Sequence, residues 1–207
     1  MNWKSFSDLV SENRYSNMAS SQGKIAELLC NKGGTQEISQ TPHKWYPRGI
    51  SDSENYRGYR YVDMNHSFYG KEPVLMAEAS CCIIVVLVDR ESRQLFCAHI
   101  SAVNDYRYKA WYLMKFDLQS FFYNIKKNLK RAELLLFSNN LFKGKDGTLE
   151  QRAFLKLFSY VFNQQQLHQL AENTYFIEGE NGKCWNPFCA VRLNPEANNN
   201  FINVYFG

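Results

Sequence analysis

The chain has 207 residues, with 24 Lys and Arg against 20 Asp and Glu, so its formal net charge is +4. This length corresponds to one domain whose core is large enough to fold without disulfide bonds. The apolar fraction of 45% and the charged fraction of 21% exclude a disordered, collagenous or coiled-coil protein. The longest apolar run, residues 81–88, is far shorter than the about 20 residues that a membrane-spanning helix needs, so no membrane span is predicted.

Residues 1–50 are predicted to form a helical and loop segment at the N-terminus. Apolar residues recur at helical spacing over residues 3–13, and a second short helix around residues 25–29 ends at two glycines. From residue 35 to about residue 60 there is no period, and prolines and glycines predict an ordered loop. Because composition does not separate this segment from the rest, residues 1–207 are expected to form a single domain. The first residues also lack the basic and then apolar pattern of a secretory signal, so we expect no export by the general route.

The middle of the chain is predicted to form a sheet. Short segments rich in β-branched and aromatic residues are separated by polar stretches; they cover residues 61–68, 74–77, 82–88, 95–100 and 109–114. The segment 82–88 has no polar alternation, which predicts a central strand covered on both faces. Residues 90–93 are predicted to form a hairpin turn that returns the chain through the segment 95–99.

The second half of the chain alternates helices and strands. A helical stripe follows Asp117, a strand is predicted over residues 132–137, and Thr148 with Gln151 fits a capping box that starts an apolar helix reaching Phe162. Residues 163–171 either extend that helix or form another, and strands are predicted over residues 174–177, 190–193 and 201–206. The predicted fold class is α+β, with α/β layering around a central mixed or antiparallel sheet flanked by helices.

No metal, cofactor or nucleic acid is expected. Of the six cysteines, Cys81 and Cys82 are adjacent in an apolar run, which favours reduced thiols in the cytoplasm, and no Cys-x2-Cys pair indicates zinc. Neither a glycine-rich phosphate loop nor a group of histidines at metal-ligand spacing occurs. The lysines and arginine of residues 126–131 fit the solvated face of a helix, and a net charge of +4 is small for a nucleic-acid-binding protein.

A cysteine and a histidine recur in a geometry that suits nucleophilic catalysis. Cys82 begins one predicted strand and His99 ends the next, so an antiparallel hairpin brings them to the same end of the sheet. A neighbouring imidazole can activate a thiol and later protonate a leaving amine. Since alternate strand residues face opposite ways, only one of Cys81 and Cys82 can face His99, and Cys82 is favoured. The alternative from the residues alone is that these cysteines fill the core and that His99 is a hydrogen-bonded residue at a strand end.

The segment from residue 75 to residue 99 resembles the signature of the chemoreceptor glutamine deamidases. In that family a Gly-Ser-Cys precedes an apolar strand, an Asp follows the cysteine after seven residues, and an Ala-His follows after seventeen. Here Asp89 lies seven and His99 seventeen residues after Cys82. Ser80-Cys81 stands where the family has Gly-Ser. The catalytic domains of the cytotoxic necrotizing factor toxins are similar, with a cysteine before an apolar strand and a histidine about one hairpin later.

The resemblance implies a cysteine-dependent deamidase that converts a glutamine side chain of a partner protein to glutamate. Cys82 would be the nucleophile and His99 the base. Apart from the resemblance, strand alternation puts Ser80 on the same side as Cys82 as a candidate polar helper, and either Asp63 or a backbone carbonyl could orient His99. A bacterial effector or toxin is then expected, in the cytoplasm or delivered into a target cell by a specialised secretion system. Two alternatives stay open: a Cys-His thiol protease or acyltransferase, and a non-catalytic interaction module such as an immunity or adaptor protein, with the tyrosine-rich residues 46–69 as its contact surface.

Overall fold

The structure is a computed structural model that describes residues 1–10, 14–16, 35–38, 60–72, 74–77, 82–89, 91–101, 108–126, 128–138, 147–178, 188–193 and 202–206. These residues contain four α-helices: α1 (Trp3–Leu9), α2 (Tyr108–Asn124), α3 (Leu149–Ser159) and α4 (Gln164–Glu172). The strands are β1 (Arg14–Ser16), β2 (Thr35–Ile38), β3 (Arg60–Tyr61), β4 (Ser67–Gly70), β5 (Val74–Ala77), β6 (Ile83–Asp89), β7 (Gln94–Ile100), β8 (Ala132–Ser138), β9 (Thr174–Glu178), β10 (Phe188–Leu193) and β11 (Ile202–Phe206). A short 3-10 helix, Leu129–Arg131, leads into β8. The fold is therefore α+β, as predicted from the sequence.

Two mixed sheets organise the described strands. The first has six strands in the order β1-β9-β8-β6-β7-β4, with β6 antiparallel to both of its neighbours and β9 parallel to β1 and β8. The second has five strands in the order β2-β11-β10-β5-β3. The N-terminal strands β1 and β2 each lie at the edge of one sheet, so residues of the first 50 take part in both.

The six-stranded sheet is covered on both faces, and its two faces meet different layers. Every residue of β6 is buried. Alternate side chains of β6, among them Val85 and Leu87, belong to a core cluster with residues of all four helices. The intervening side chains, Ile84 and Val86 among them, pack in a second cluster with Val74 of β5. The uninterrupted apolar run of β6 is thus explained by burial on both faces, helices on one side and the second sheet on the other.

Helix α2 corrects one prediction. Residues 109–114 were expected to form a strand because they are aromatic, but α2 already begins at Tyr108. One helical stripe of buried residues continues across Asp117, where the helix was predicted to begin. Its members follow one another at spacings of four, three and four residues: Met114, Leu118, Phe121 and Ile125. Tyr112, one of the aromatic residues that suggested a strand, lies on the exposed side of the helix instead.

Smaller corrections concern the ends of elements. The predicted strand over residues 61–68 is interrupted by a turn at residues 62–66, between β3 and β4. The stretch predicted as a loop from residue 35 contains β2. Residues 164–172 form a separate helix because Asn163 and Gln166 make a second capping box. The capping box of Thr148 and Gln151 is confirmed. The predicted helix around residues 25–29 lies outside the described residues.

Candidate functional site

The β6–β7 hairpin brings Cys82 and His99 to one end of the six-stranded sheet. Cys82 directly precedes β6, and the register of the hairpin pairs Ile84 with His99. Ile84 and Cys97 belong to the cluster that faces the second sheet, so the alternation of side chains assigns both Cys82 and His99 to that face. Residues in this diagonal relation are about 7–8 Å apart in a regular antiparallel pair.

Both side chains are buried, and the imidazole of His99 makes no hydrogen bond among the described residues. Cys82 is 0% and His99 2% exposed. Neither Nδ1 nor Nε2 of His99 makes a hydrogen bond within the part of the chain that the structure describes. A neutral imidazole carries one donor and one acceptor, and burying such a group without a partner costs about 1–3 kcal/mol. In folded proteins, the large majority of buried polar side-chain atoms have a hydrogen-bond partner.

Burial sets the charge of His99. It lowers the pKa of the imidazole from the ordinary 6.5 to about 4, and the nearby Asp63 carboxylate opposes this shift only in part. His99 is therefore neutral at physiological pH and can accept a proton. Asp63 acts on the ring electrostatically. Since neither ring nitrogen has a hydrogen-bond partner among the described residues, neither Asp63 nor a backbone carbonyl within them orients the ring.

A turn at residues 62–66 holds the backbone of His99. The backbone N–H of His99 donates to the carbonyl of His66 at 3.1 Å, and the backbone N–H of Asn65 donates to the carbonyl of His99 at 2.6 Å. The side chain of Asn65 contacts Ser101, two residues further along. The sequence pattern gives Asn65 no role, because it predicts one strand over residues 61–68. Asp63 and Asn65, both common in turns, were the signal that a turn interrupts it.

Asp89, which helped to carry the family resemblance, has a structural role here. It ends β6 and is 1% exposed. Its carboxylate accepts hydrogen bonds from the hydroxyl of Ser92 at 2.6 Å and the backbone N–H of Glu91 at 3.2 Å, and Nη2 of Arg131 donates to it at 2.7 Å. These contacts stabilise the turn of the β6–β7 hairpin, at the end of the sheet opposite to Cys82 and His99.

The other predicted site residues are not all described. Ser80 and Cys81 lie outside the described residues. Cys97 lies on the face of His99, but in the middle of β7, where Phe68 of β4 and Val86 of β6 pair with it on either side. Burial raises the pKa of the Cys97 thiol well above its ordinary value, which lowers the fraction of reactive thiolate at this cysteine.

The candidate site consists of a thiol and a neutral base on one buried face, and within the described ranges no group of three or more His, Cys, Asp and Glu residues is arranged to hold a metal ion. None of the described helices is both long and apolar enough to cross a membrane.

Comparison with known proteins places the chain in no family. No family model matches the sequence. No curated protein matches it either. Among solved structures, the chain is similar to the crystal structure of the hypothetical protein YfiH of Bacillus licheniformis, with a TM-score of 0.30 and 12% sequence identity. The match covers 56% of this chain and 50% of that one, so it spans half the length of the YfiH chain. A TM-score this low establishes neither a common fold nor a common function.

Proposed function

We propose that the chain is a cysteine-dependent amidohydrolase that converts a glutamine side chain of a partner protein to glutamate, with Cys82 as nucleophile and His99 as base. The observation that carries the proposal is the buried neutral imidazole on the face of the sheet assigned to Cys82, whose two ring nitrogens make no hydrogen bond with any residue that the structure describes. A structural histidine in the core is expected to have its ring nitrogens satisfied. In a catalytic base, by contrast, a ring nitrogen must be available to the thiol and to the substrate.

The reaction follows from the two groups. His99 removes the proton of the Cys82 thiol, and the sulfur attacks the amide carbon of the glutamine side chain. His99 then donates that proton to the departing nitrogen, so the C–N bond breaks, ammonia leaves and a thioester remains. Water, deprotonated by the same imidazole, attacks the thioester, and collapse of this adduct releases glutamate and regenerates the Cys82 thiol. One water is consumed for each ammonia released.

The low pKa of His99 leaves the imidazole free to accept a proton but also makes it a weaker base than an ordinary histidine. A histidine that is already protonated cannot accept the thiol proton, and burial keeps His99 neutral at physiological pH. The imidazolium that forms transiently is opposed by burial and favoured by the Asp63 carboxylate, which raises the pKa of His99. In this proposal Asp63 stabilises the charged intermediate state without making a hydrogen bond to the ring.

The substrate is a protein in this proposal, and the product gains one negative charge. Replacing a carboxamide with a carboxylate abolishes any hydrogen bond in which the amide N–H₂ was the donor. Such a change can switch a regulatory protein. The resemblance to toxin deamidases supports a bacterial effector that acts within the cytoplasm of a target cell, delivered there by a specialised secretion system.

The test is a search for new glutamates in cell lysate. Lysate is incubated in heavy-oxygen water with the wild-type chain, Cys82→Ser or His99→Gln, and peptides are mapped by mass spectrometry. The proposal predicts that wild type alone produces glutamates carrying one solvent oxygen at former glutamine positions. Cys97→Ser is the matched control, because it removes a buried thiol from the same face, and it is expected to stay active. An active Cys82→Ser variant, or cleaved or acylated products, would contradict deamidation by Cys82.

One observation favours the alternative of a non-catalytic interaction module. Tyr112, Leu113, Phe116 and Tyr123 of α2 are each more than half exposed. Exposed aromatic side chains are typical of protein contact surfaces. If this surface is the whole function, Tyr112→Ser with Phe116→Ser abolishes partner binding, and Cys82→Ser leaves the function unchanged.

A further inference from the structure

The turn at residues 62–66 supplies backbone hydrogen bonds to β7 beyond the point where the pairing of β7 with β4 ends. The pairing of β4 with β7 stops at Ser67 and Ala98, one residue before His99. Beyond that point the backbone N–H and carbonyl of His99 are bonded to His66 and Asn65 of the turn. The position of His99 on this side of β7 therefore depends on the turn.

Asn65 ties the turn to the end of β7. Its Nδ2 donates to Oγ of Ser101 at 2.8 Å, and its Oδ1 accepts from the backbone N–H of Ser101 at 3.2 Å and from the Ser101 hydroxyl at 3.1 Å. Ser101 is 4% exposed. Asn65 has a φ of 59°, a left-handed conformation that asparagine tolerates better than most residues. One side chain thus satisfies both a buried backbone group and a buried hydroxyl, two residues past His99.

We propose that Asn65 is a positioning residue for His99: through its contacts with Ser101 and the backbone of His99, it fixes the strand end that carries the base facing Cys82. This role rests on the proposed function, because positioning matters for catalysis only if His99 is the base. Asn65 reaches Ser101 with its side chain and His99 with its backbone N–H. A shift of about 1 Å in a catalytic group is enough to lower a rate about 100-fold.

The experiment measures the titration of His99 and the rate together. The chain has four histidines, so the His99 ring signals in NMR spectra are identified by comparison with His99→Gln. Asn65→Gly keeps the backbone free to adopt a positive φ while removing the side chain. Ser101→Ala removes only the hydroxyl and is the milder variant should Asn65→Gly fold poorly. Asn163→Gly, which removes the side-chain cap of α4, is the matched control for a general loss of stability.

The expected result is that His99 titrates near pH 4 in wild type and about one pH unit higher in Asn65→Gly, because water reaches the ring when the strand end opens. The deamidation rate falls about 100-fold in the same variant. Asn163→Gly is expected to change neither value. The double variant Asn65→Gly/Ser101→Ala should shift the titration of His99 no further than the larger of the two single changes, since both substitutions remove the same contact between Asn65 and Ser101.

Two failures are distinguishable. If His99 titrates at the wild-type pH in both Asn65→Gly and Ser101→Ala, the positioning role is overturned, whatever the wild-type activity. If the titration of His99 shifts as expected but the wild-type chain deamidates nothing, Asn65 does position His99 and the proposed function is overturned.

Discussion

Replacing His99 with glutamine is expected to flatten the dependence of stability on pH between pH 7 and pH 5. The pKa of His99 is about 4 in the folded protein and 6.5 when the ring is in water. The unfolded chain therefore binds a proton more readily than the folded one in the window between these two values. Stability that is present above pH 6.5 is lost as the pH falls through that window, and the loss levels off below pH 4.

The magnitude follows from the two pKa values. At pH 5 the unfolded ring is almost fully protonated and the folded ring almost fully neutral, so His99 lowers the free energy of unfolding by about 2 kcal/mol relative to pH 7. Below pH 4 the full loss is about 3 kcal/mol. For a domain of this size, 2 kcal/mol corresponds to a fall in melting temperature of about 4–8 °C.

Urea denaturation followed by tryptophan fluorescence, at pH 7 and at pH 5, measures this difference. Wild type is compared with His99→Gln, and His168→Gln is the matched control because His168 is exposed on α4. Contributions from the other titratable groups are common to all three proteins and cancel in the comparison. If wild type and His99→Gln lose the same free energy of unfolding between the two pH values, His99 is not the buried neutral base described above.

Three further predictions concern the fold, each measured as a change in the free energy of unfolding. Arg131→Leu leaves the buried carboxylate of Asp89 without its cation and should cost about 3–5 kcal/mol at neutral pH; a cost no larger than that of a surface substitution would contradict the ion pair. Phe154→Ala opens a cavity among aromatic rings of the core and should cost about 3–5 kcal/mol. Thr148→Ala removes the bond to the backbone N–H of Gln151 and should cost about 1 kcal/mol, whereas Thr148→Ser should cost less.

Periodicity and capping chemistry were sufficient to predict several elements of the fold. The apolar run that became β6 and the Thr148 cap of α3 are set by local sequence, so both were found where predicted. The start of α2 was wrong because its exposed aromatic residues have high strand propensity. Propensity is a weak signal beside burial, and the helical stripe from Met114 onward decides the structure.

The candidate site could be predicted only in part. Strand alternation and hairpin geometry were enough to bring Cys82 and His99 to one face of one strand end. The role of Asn65 depends on contacts between residues 36 apart in sequence, which no local pattern carries. The charge state of His99 likewise depends on how completely the ring is buried, which is a consequence of tertiary packing.

The most direct test of the Cys82–His99 pair needs no substrate: the rate of alkylation of each cysteine by a small neutral reagent, mapped by peptide mass spectrometry in wild type and His99→Gln. Cys97 is the internal control, since it is equally buried but lies between two paired strands, whereas Cys82 lies at a strand end. We predict that Cys82 reacts faster than Cys97 at pH 7 in wild type and falls to the rate of Cys97 in His99→Gln. A Cys82 that is as inert as Cys97 in wild type, or whose reactivity does not change without His99, would contradict the proposed pair.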